Sequence, residues 1–377
     1  MPGLYFHIPY CRSKCPYCDF FSLAAASLPI ADYAELLVRH LDLAARRGEW
    51  PEPFETVFFG GGTPSLLAPA TVAYLLDAVH LRFGLAAGAE ISLEANPGTV
   101  TPEALAGFRV AGINRLSFGV QSFSAEQLRR LGRIHSPAEA VAAVGWARAA
   151  GFDNIGIDLM FALPGQREAD LAEELDQALK LAPDHFSCYG LSVEEQTPFY
   201  HLHRRGGLEL PDEERYAALF QALHGRLTLG GYAHYEISNY ARPGRECRHN
   251  LGYWQRLACL GVGAGAHSYL EAAWGERQAV PPDLNRYAQC LERGENPAQT
   301  LETFDRRDAM AETLYLGLRT AAGVNDDRFR RRFGLGVAEA FPKAIERAGR
   351  HLRLKDGNWA FDLDGWLLYD HLITPFL

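Results

Sequence analysis

The segment FHIPYCRSKCPYCDFFS, residues 6–22, places three cysteines at the spacing C-x3-C-x2-C. Structural zinc sites usually draw four ligands from two separated pairs, and no second Cys or His pair follows Cys11, Cys15 and Cys18. Three thiolates in one short loop suit a cubane [4Fe–4S] cluster whose fourth iron has no protein ligand and is open to substrate. We therefore predict that these cysteines ligate such a cluster, with structural zinc and unligated core cysteine as alternatives.

Six strand-like apolar runs alternate with helical patterns from the start of the chain, and the cysteine loop follows the first run. The runs cover 4–9, 56–62, 90–96, 115–121, 154–161 and 185–193. Such alternation indicates a parallel sheet covered by helices. Eight units would close a barrel, so six predict an α/β fold with a partial (β/α)6 TIM-like barrel. The pattern changes after Gly231, which predicts a barrel domain over 1–231 and a smaller mixed or helical domain over 232–377.

Several helix starts are marked in the sequence by capping residues. Ser124 with Gln127 and Ser136 with Glu139 have the spacing of capping boxes. Pro102 and Pro137 each follow a Thr or Ser and are predicted at the first position of a helix.

Composition excludes several classes of function. The chain has 377 residues, 48% of them hydrophobic and 22% charged, with a net charge of −9 and no evident basic stripe of the kind that binds nucleic acid. Neither a secretory signal nor a membrane-spanning stretch is visible. Seven cysteines, an odd number, argue against a disulfide framework. We expect a cytoplasmic protein in which Cys188, Cys247, Cys259 and Cys290 are buried free thiols.

Polar residues recur where the predicted strands end, which is where barrel active sites lie. GGGTP, residues 60–64, follows the second strand and lacks the Gly-Lys-Ser/Thr ending of a phosphate loop. Glu94, Gln121 and Asp158 end the next three strands, and Arg133 stands in LGRIH. Carboxylates and amides suit hydroxyl groups and an ammonium, and a guanidinium suits a carboxylate.

The cysteine loop after the first strand resembles that of the radical S-adenosylmethionine (SAM) superfamily over about the first 230 residues. The resemblance implies that SAM chelates the open iron and that the reduced cluster splits it to a 5′-deoxyadenosyl radical. YFHIPYC, FFGGGTPSLL, EANPGT, GVQSF, LGRIH and DLMFALPGQ narrow the likeness to the oxygen-independent coproporphyrinogen III oxidase-like branch. In that branch the first SAM is contacted by residues corresponding to Tyr5, Gly61 and Glu94. A second SAM site corresponds to Tyr17, Gly62, Thr63, Gln121, Arg133 and Asp158.

Two features separate the sequence from the true oxidases of this branch. Those enzymes have a fourth cysteine where Phe20 stands, and an N-terminal segment ahead of the first strand, which we expect to be missing because Tyr5 already lies in that strand. Cys-Asp-Phe at 18–20 and H-N-x-x-Y-W at 249–254 instead resemble the haem chaperone subgroup.

The subgroup resemblance implies a haem chaperone that binds a [4Fe–4S] cluster, SAM and haem. It would deliver haem to respiratory haemoproteins, with transient contact at the membrane surface and no nucleic acid; a homodimer stays open. His249 is the candidate haem contact, and His7, His234 and His267 are more simply structural. The C-terminal residues resemble the small accessory domain of the same branch. The alternatives are the oxidase itself, which decarboxylates coproporphyrinogen III, and radical chemistry on an unrelated substrate.

Overall fold

A computed structural model of the chain describes residues 2–24 and 28–377. Six parallel strands lie side by side in chain order, which confirms the predicted partial barrel. The strands are β1 (Gly3–Ile8), β2 (Phe54–Gly61), β3 (Leu85–Ala95), β4 (Arg115–Gln121), β5 (Ile155–Phe161) and β6 (His185–Gly190). Each starts or ends within a few residues of its predicted run, apart from β3, which begins five residues earlier.

Helices connect these strands and cover the outside of the sheet. They are α1 (Ile30–Arg47), α2 (Pro69–Phe83), α3 (Pro102–Ala111), α4 (Ala125–Arg130), α5 (Pro137–Ala149), α6 (Glu168–Lys180), α7 (Pro198–Arg204) and α8 (Glu213–Leu229). Leu37, Leu75 and Phe108, from three of these helices, are fully buried in the main core together with strand residues such as Phe59 and Phe118.

The predicted helix starts are confirmed with one exception. Ser136 and Glu139 form a reciprocal capping box, and both predicted prolines occupy the first turn of their helices. Ser124 also caps its helix by accepting from the Gln127 N–H. The Gln127 side chain, however, donates to the carbonyl of Pro164. The prediction of a capping box at Ser124 was therefore wrong, because the Gln127 side chain bonds to Pro164 and not to the backbone of Ser124.

The sheet continues beyond the six parallel strands at both of its edges. The further strands are β7 (Ala233–Glu236), β8 (Asn239–Ala241), β9 (Cys259–Val262), β10 (His267–Leu270), β11 (Glu276–Ala279) and β12 (Gln299–Thr303). β8 pairs antiparallel with β6, and β9 pairs parallel with β1. Strands β7 to β12 thus belong to the barrel sheet, and the predicted boundary at 231/232 falls within a continuous structure. The division into two domains there stays a prediction.

Helices and a small sheet form the C-terminal part. The remaining helices are α9 (Arg248–Trp254), α10 (Leu284–Glu292), α11 (Arg306–Gly317), α12 (Asp326–Phe333), α13 (Val337–Ala340), α14 (Pro342–Ala348), α15 (Leu363–Leu367) and α16 (Tyr369–Ile373). β13 (Val324–Asn325), β14 (Leu352–Lys355) and β15 (Asn358–Phe361) make a separate antiparallel sheet in the order β13-β15-β14. This is the predicted mixed C-terminal unit. Among the described residues, no helix is both long and apolar enough to cross a membrane.

Candidate functional site

A cavity of about 490 Å³ opens where the parallel strands of the barrel end. Every residue predicted to bind the cluster or SAM lines it except Tyr5, and the predicted haem contact His249 does not line it. The predicted residues in its wall are Cys11, Cys15, Tyr17, Cys18, Gly61, Gly62, Thr63, Glu94, Gln121, Arg133 and Asp158. Their roles as ligands stay predictions, but the fold brings them to one place.

Backbone hydrogen bonds join the two ends of the cysteine loop directly after β1. The N–H of Cys11 donates to the carbonyl of Leu23 at 3.0 Å, and the N–H of Leu23 donates to the carbonyl of Pro9 at 2.8 Å. Within the loop the Cys18 N–H donates to the Cys15 carbonyl at 3.1 Å. All three thiols are half-buried, so they face the cavity without being sealed in the core.

The thiols have surroundings that fit an iron–sulfur cluster. Thr63 Oγ1 donates to Cys11 Sγ at 3.5 Å, and Arg133 Nη1 donates to Cys15 Sγ at 3.5 Å. Hydrogen bonds to sulfur are among the means by which proteins tune such clusters. Across residues 2–24 and 28–377, no three His, Cys, Asp or Glu side chains are grouped as ligands of a single ion. Three half-buried thiols in one short loop, two of them accepting hydrogen bonds, are a donor set that fits a cubane cluster.

The glycine run at the end of β2 permits two close approaches. Gly61 has φ +109°, and its N–H donates to Glu94 Oε2 at 3.3 Å. A Cβ on Gly62 would lie 2.7 Å from the Tyr10 carbonyl oxygen and 2.9 Å from that of Ile8. Gly62 is therefore required for packing the cysteine loop against β2, whatever ligand it also contacts.

Two carboxyl groups lie deep in the cavity wall. Burial, together with the nearby carboxyl of Asp158, raises the pKa of Glu94 to about 8. Burial also raises the pKa of Asp158, although hydrogen bonds from Ser187 and Ser117 lower it; Ser117 Oγ donates to Asp158 Oδ1 at 2.9 Å. Carboxyl groups whose pKa is shifted upward in a cleft are typical of ligand sites. A cationic ligand would favour the ionised form of both.

Gln121 and Arg133 meet at the end of β4. Gln121 has φ +69°. This left-handed backbone conformation is uncommon for residues other than glycine, and it is found at functional sites. Arg133 Nη2 donates to the Gly119 carbonyl at 2.6 Å, and its Nη1 reaches Cys15. Arg133 Nε is buried and has no partner among the described residues. The guanidinium can therefore accept a further anionic partner such as a ligand carboxylate.

The H-N-x-x-Y-W segment forms α9, which packs beneath the cavity. Glu90, in the middle of the barrel strand β3, accepts from the N–H groups of Arg248 and His249 at 3.1 Å each. A carboxylate at this helix start is electrostatically favourable. Asn250 then lines the cavity, so the segment predicted to be a haem wall is the floor of the barrel.

His249 is held on all sides inside that floor. Its Nδ1 lies 2.8 Å from Thr56 Oγ1 and its Nε2 lies 2.8 Å from the Tyr253 hydroxyl. Its ring stacks on Phe58 with centroids 5.1 Å apart, and Tyr5 stacks at 6.5 Å. Burial lowers the pKa of His249 to about 3, so the imidazole is neutral. Its role as a haem contact stays a prediction, and contact with iron requires one of these two partners to move.

The other candidate histidines also have structural partners or lie at an edge. His7 Nε2 lies 2.8 Å from the Phe21 carbonyl, and its Nδ1 lies 3.1 Å from the Tyr5 hydroxyl. His234 contacts His224 and the Ile237 carbonyl. His267 is exposed on β10.

Sequence reasoning missed several residues that line the cavity, among them Arg115, Ser187, Tyr189 and Asn250. Ser187 and Tyr189 alternate with apolar residues along β6, a signal that could have identified them as facing the barrel interior. Arg115 is 2% exposed, and its Nε has no partner among the described residues. Nothing in the sequence marks an arginine at a strand start as a barrel residue.

Comparison with known proteins places the chain in a family. The model of the radical SAM superfamily matches residues 5–178, and that of the HemN C-terminal domain matches residues 304–368. The protein named heme chaperone HemW of Bacillus subtilis (strain 168) is 35% identical over 348 residues, which cover 92% of this chain and 90% of the relative. This chain belongs to the HemW family.

Further relatives agree with this placement. HemW of Escherichia coli (strain K12) is 46% identical, over 70% of this chain and 69% of the relative. A Danio rerio protein named radical S-adenosyl methionine domain-containing protein 1, mitochondrial, is 32% identical over 100% of this chain and 86% of its own length. The solved structure of coproporphyrinogen III oxidase (HemN) from Escherichia coli has a TM-score of 0.84 at 24% identity, over 100% of this chain and 89% of that chain. That likeness shows the shared fold.

Proposed function

We propose that this protein is a haem chaperone that binds a [4Fe–4S] cluster, SAM and haem and delivers the haem to respiratory haemoproteins. The observation that carries this proposal is the 35% identity to a heme chaperone HemW across nearly the full length of both chains. The cavity supports it, because three half-buried thiols lie beside glycines, carboxyl groups and an arginine suited to SAM.

In this proposal Cys11, Cys15 and Cys18 hold the cluster, and Thr63 and Arg133 donate to two of its thiolates. A bound cluster would supply electrons and an open iron for SAM. Glu94 and Asp158 orient hydroxyl or ammonium groups of SAM as hydrogen-bond acceptors. Tyr5 supports the site from below by donating to His7, since it does not line the cavity.

The competing proposal is an oxygen-independent coproporphyrinogen III oxidase, favoured by the fold shared with HemN. Phe20 opposes it. This residue stands where the oxidases have a fourth cysteine, and its side chain is 65% exposed beside the cavity. An exposed phenyl ring cannot supply a thiolate, so we favour the chaperone.

One sample separates the two functions. The protein is reconstituted anaerobically with iron and sulfide and divided between a haem titration and a coproporphyrinogen decarboxylation assay with SAM and reductant. We expect saturable haem binding and no protoporphyrinogen. Stoichiometric decarboxylation would favour the oxidase, and failure to bind haem would refute the chaperone.

His249→Ala addresses the haem contact. We expect a changed Soret band or weaker haem retention with cluster absorbance intact, because the ring nitrogens of His249 contact Thr56 and Tyr253, which lie outside the cysteine loop. His267→Ala, an exposed histidine on β10, is the matched control. An unchanged Soret band in His249→Ala would assign His249 to packing alone.

The cellular setting completes the proposal. We propose that the chaperone works in the cytoplasm and meets its acceptors at the membrane surface, either as a monomer or as a homodimer. Exchange with membrane enzymes requires only transient contact there.

A further inference from the structure

A second cavity, of about 370 Å³, adjoins the cluster cavity. Tyr189 and Gly190, at the end of β6, line both cavities. The far wall of the second cavity comes from α15 and α16, so it lies between the barrel and the C-terminal part. Its volume falls in the range of small-molecule sites.

Aromatic rings make up much of its wall. Phe161, Tyr216 and Phe220 come from the barrel side, and Trp366 and Tyr369 come from the C-terminal side. The Phe161 and Tyr216 rings pack with centroids 5.2 Å apart. The tyrosines, Arg319 and Asp370 also give this wall polar surface, so it suits the edge of a conjugated ligand that carries polar groups.

Arg319 is the cation of this cavity. Its guanidinium lies over the rings of Trp254, at 4.9 Å, and Tyr369, at 5.2 Å. Its Nε is buried without a hydrogen-bond partner. In the part of the chain that the structure describes, no carboxylate lies within ion-pair distance of Arg319. Trp254 is the last residue of H-N-x-x-Y-W, so Arg319 links that motif to the second cavity.

Two acidic groups lie near Arg319, but neither neutralises most of its positive charge. Glu236 is fully buried, and burial raises its pKa to about 7, so a large fraction of it is protonated near neutral pH. Asp370 lines the cavity but is exposed to solvent, where its charge is screened. A buried guanidinium with a free N–H favours an anionic partner.

We propose that this second cavity binds the carboxylate-bearing edge of a planar apolar ligand, with Arg319 pairing with the carboxylate. The inference rests on the proposed function, in which the ligand is haem and the carboxylate is one of its propionates. A cavity of this size holds one edge of the macrocycle, and the rest extends past Tyr189 toward the cluster cavity.

The test compares haem with haem dimethyl ester, whose propionates carry no charge. We expect wild type to bind the diester at least tenfold more weakly, the effect of losing about one charge-assisted hydrogen bond. Arg319→Gln should weaken haem binding to a similar degree and leave diester binding as in wild type. Arg307→Gln removes another arginine, stacked on Phe341 at 4.1 Å outside the cavity, and should change neither affinity.

The outcomes separate this inference from the proposed function. If wild type binds haem and its diester equally, or Arg319→Gln weakens both alike, the second cavity does not hold a propionate although the chaperone stands. If wild type binds no haem, the proposed function and this inference both fail. Should Arg319→Gln not fold, the wild-type comparison of the two ligands decides alone.

Discussion

Glu94 is a single residue of the cavity wall that lowers the stability of the folded protein as pH rises and that we propose binds SAM. The carboxyl group is enclosed by protein and lies close to Asp158, which is why its pKa reaches about 8. In the unfolded chain its pKa is near 4.5. Between those values the folded state holds more protons, so the stability of the protein falls as pH rises from about 4.5 to about 8 and then levels off.

Glu94→Gln should therefore make the SAM-free protein more stable and bind SAM more weakly. We expect the free energy of unfolding at pH 8 to rise by roughly 1–3 kcal/mol, because the amide keeps the hydrogen bond to Gly61 without a buried charge. Denaturant unfolding at pH 5 and pH 8 measures the gain, and calorimetry measures SAM affinity. Glu173→Gln, on the exposed face of α6, is the control; equal stability of Glu94→Gln and wild type at pH 8 would contradict the buried charge.

Gly62→Ala tests the packing of the cysteine loop. The added methyl group would press on the Tyr10 and Ile8 carbonyls at 2.7 and 2.9 Å, costing about 1–3 kcal/mol and displacing the loop. We expect a lower unfolding midpoint and less iron and sulfide after reconstitution. Gly145→Ala, where no atom lies within 4 Å of the new Cβ in helix α5, should instead stabilise by about 0.5–1 kcal/mol. Full cluster loading of Gly62→Ala would show that the loop tolerates the shift.

Helix α9 is the element that joins the family motif to the barrel. Glu90 accepts two of its first N–H groups, Asn250 lines the cavity, and His249 lies beneath it. Removing the Glu90 carboxylate alone would leave the N–H groups of Arg248 and His249 without their acceptor. This loss should cost more than the loss of a helix cap at the surface.

Glu90→Ala should therefore destabilise the protein by about 2–5 kcal/mol, because one buried and one partly buried N–H group are left without an acceptor. Asp212→Ala removes the cap of α8, where Asp212 accepts from the Arg215 N–H at an exposed site, and should cost about 1 kcal/mol. Denaturant unfolding compares the two variants. A similar small loss in both would mean that α9 is only loosely held against the barrel.

The sequence could predict elements whose signal is local. Strands β1 to β6 are continuous apolar runs, and the Ser136 box needs only residues 136–139. Strands β7 to β12 were not predicted as parts of the barrel sheet, because their pairing depends on distant partners such as β6 and β1. The position of α9 could not be predicted either, because it also depends on distant partners. The sequence H-N-x-x-Y-W indicates only an aromatic segment, and the fold places it under the cavity.

On the scale of the whole molecule, the site follows from topology. Six parallel strands bring motifs that are up to about 150 residues apart in the chain to one cavity, so strand-end residues such as Glu94 and Asp158 could be predicted together. Arg115 and Arg319 could not, since the first is a barrel residue without a motif and the second faces a cavity made by two parts of the chain.

The central claim, that this protein carries haem for other proteins, is tested most directly by a transfer measurement. Haem-loaded, cluster-reconstituted protein is mixed anaerobically with a haem-free respiratory haemoprotein, and the spectrum of the acceptor is followed in time. The account predicts that the acceptor gains its native spectrum at a rate that rises with acceptor concentration, as direct hand-over requires. Haem that stays on the protein, or leaves at a rate independent of the acceptor, would contradict it.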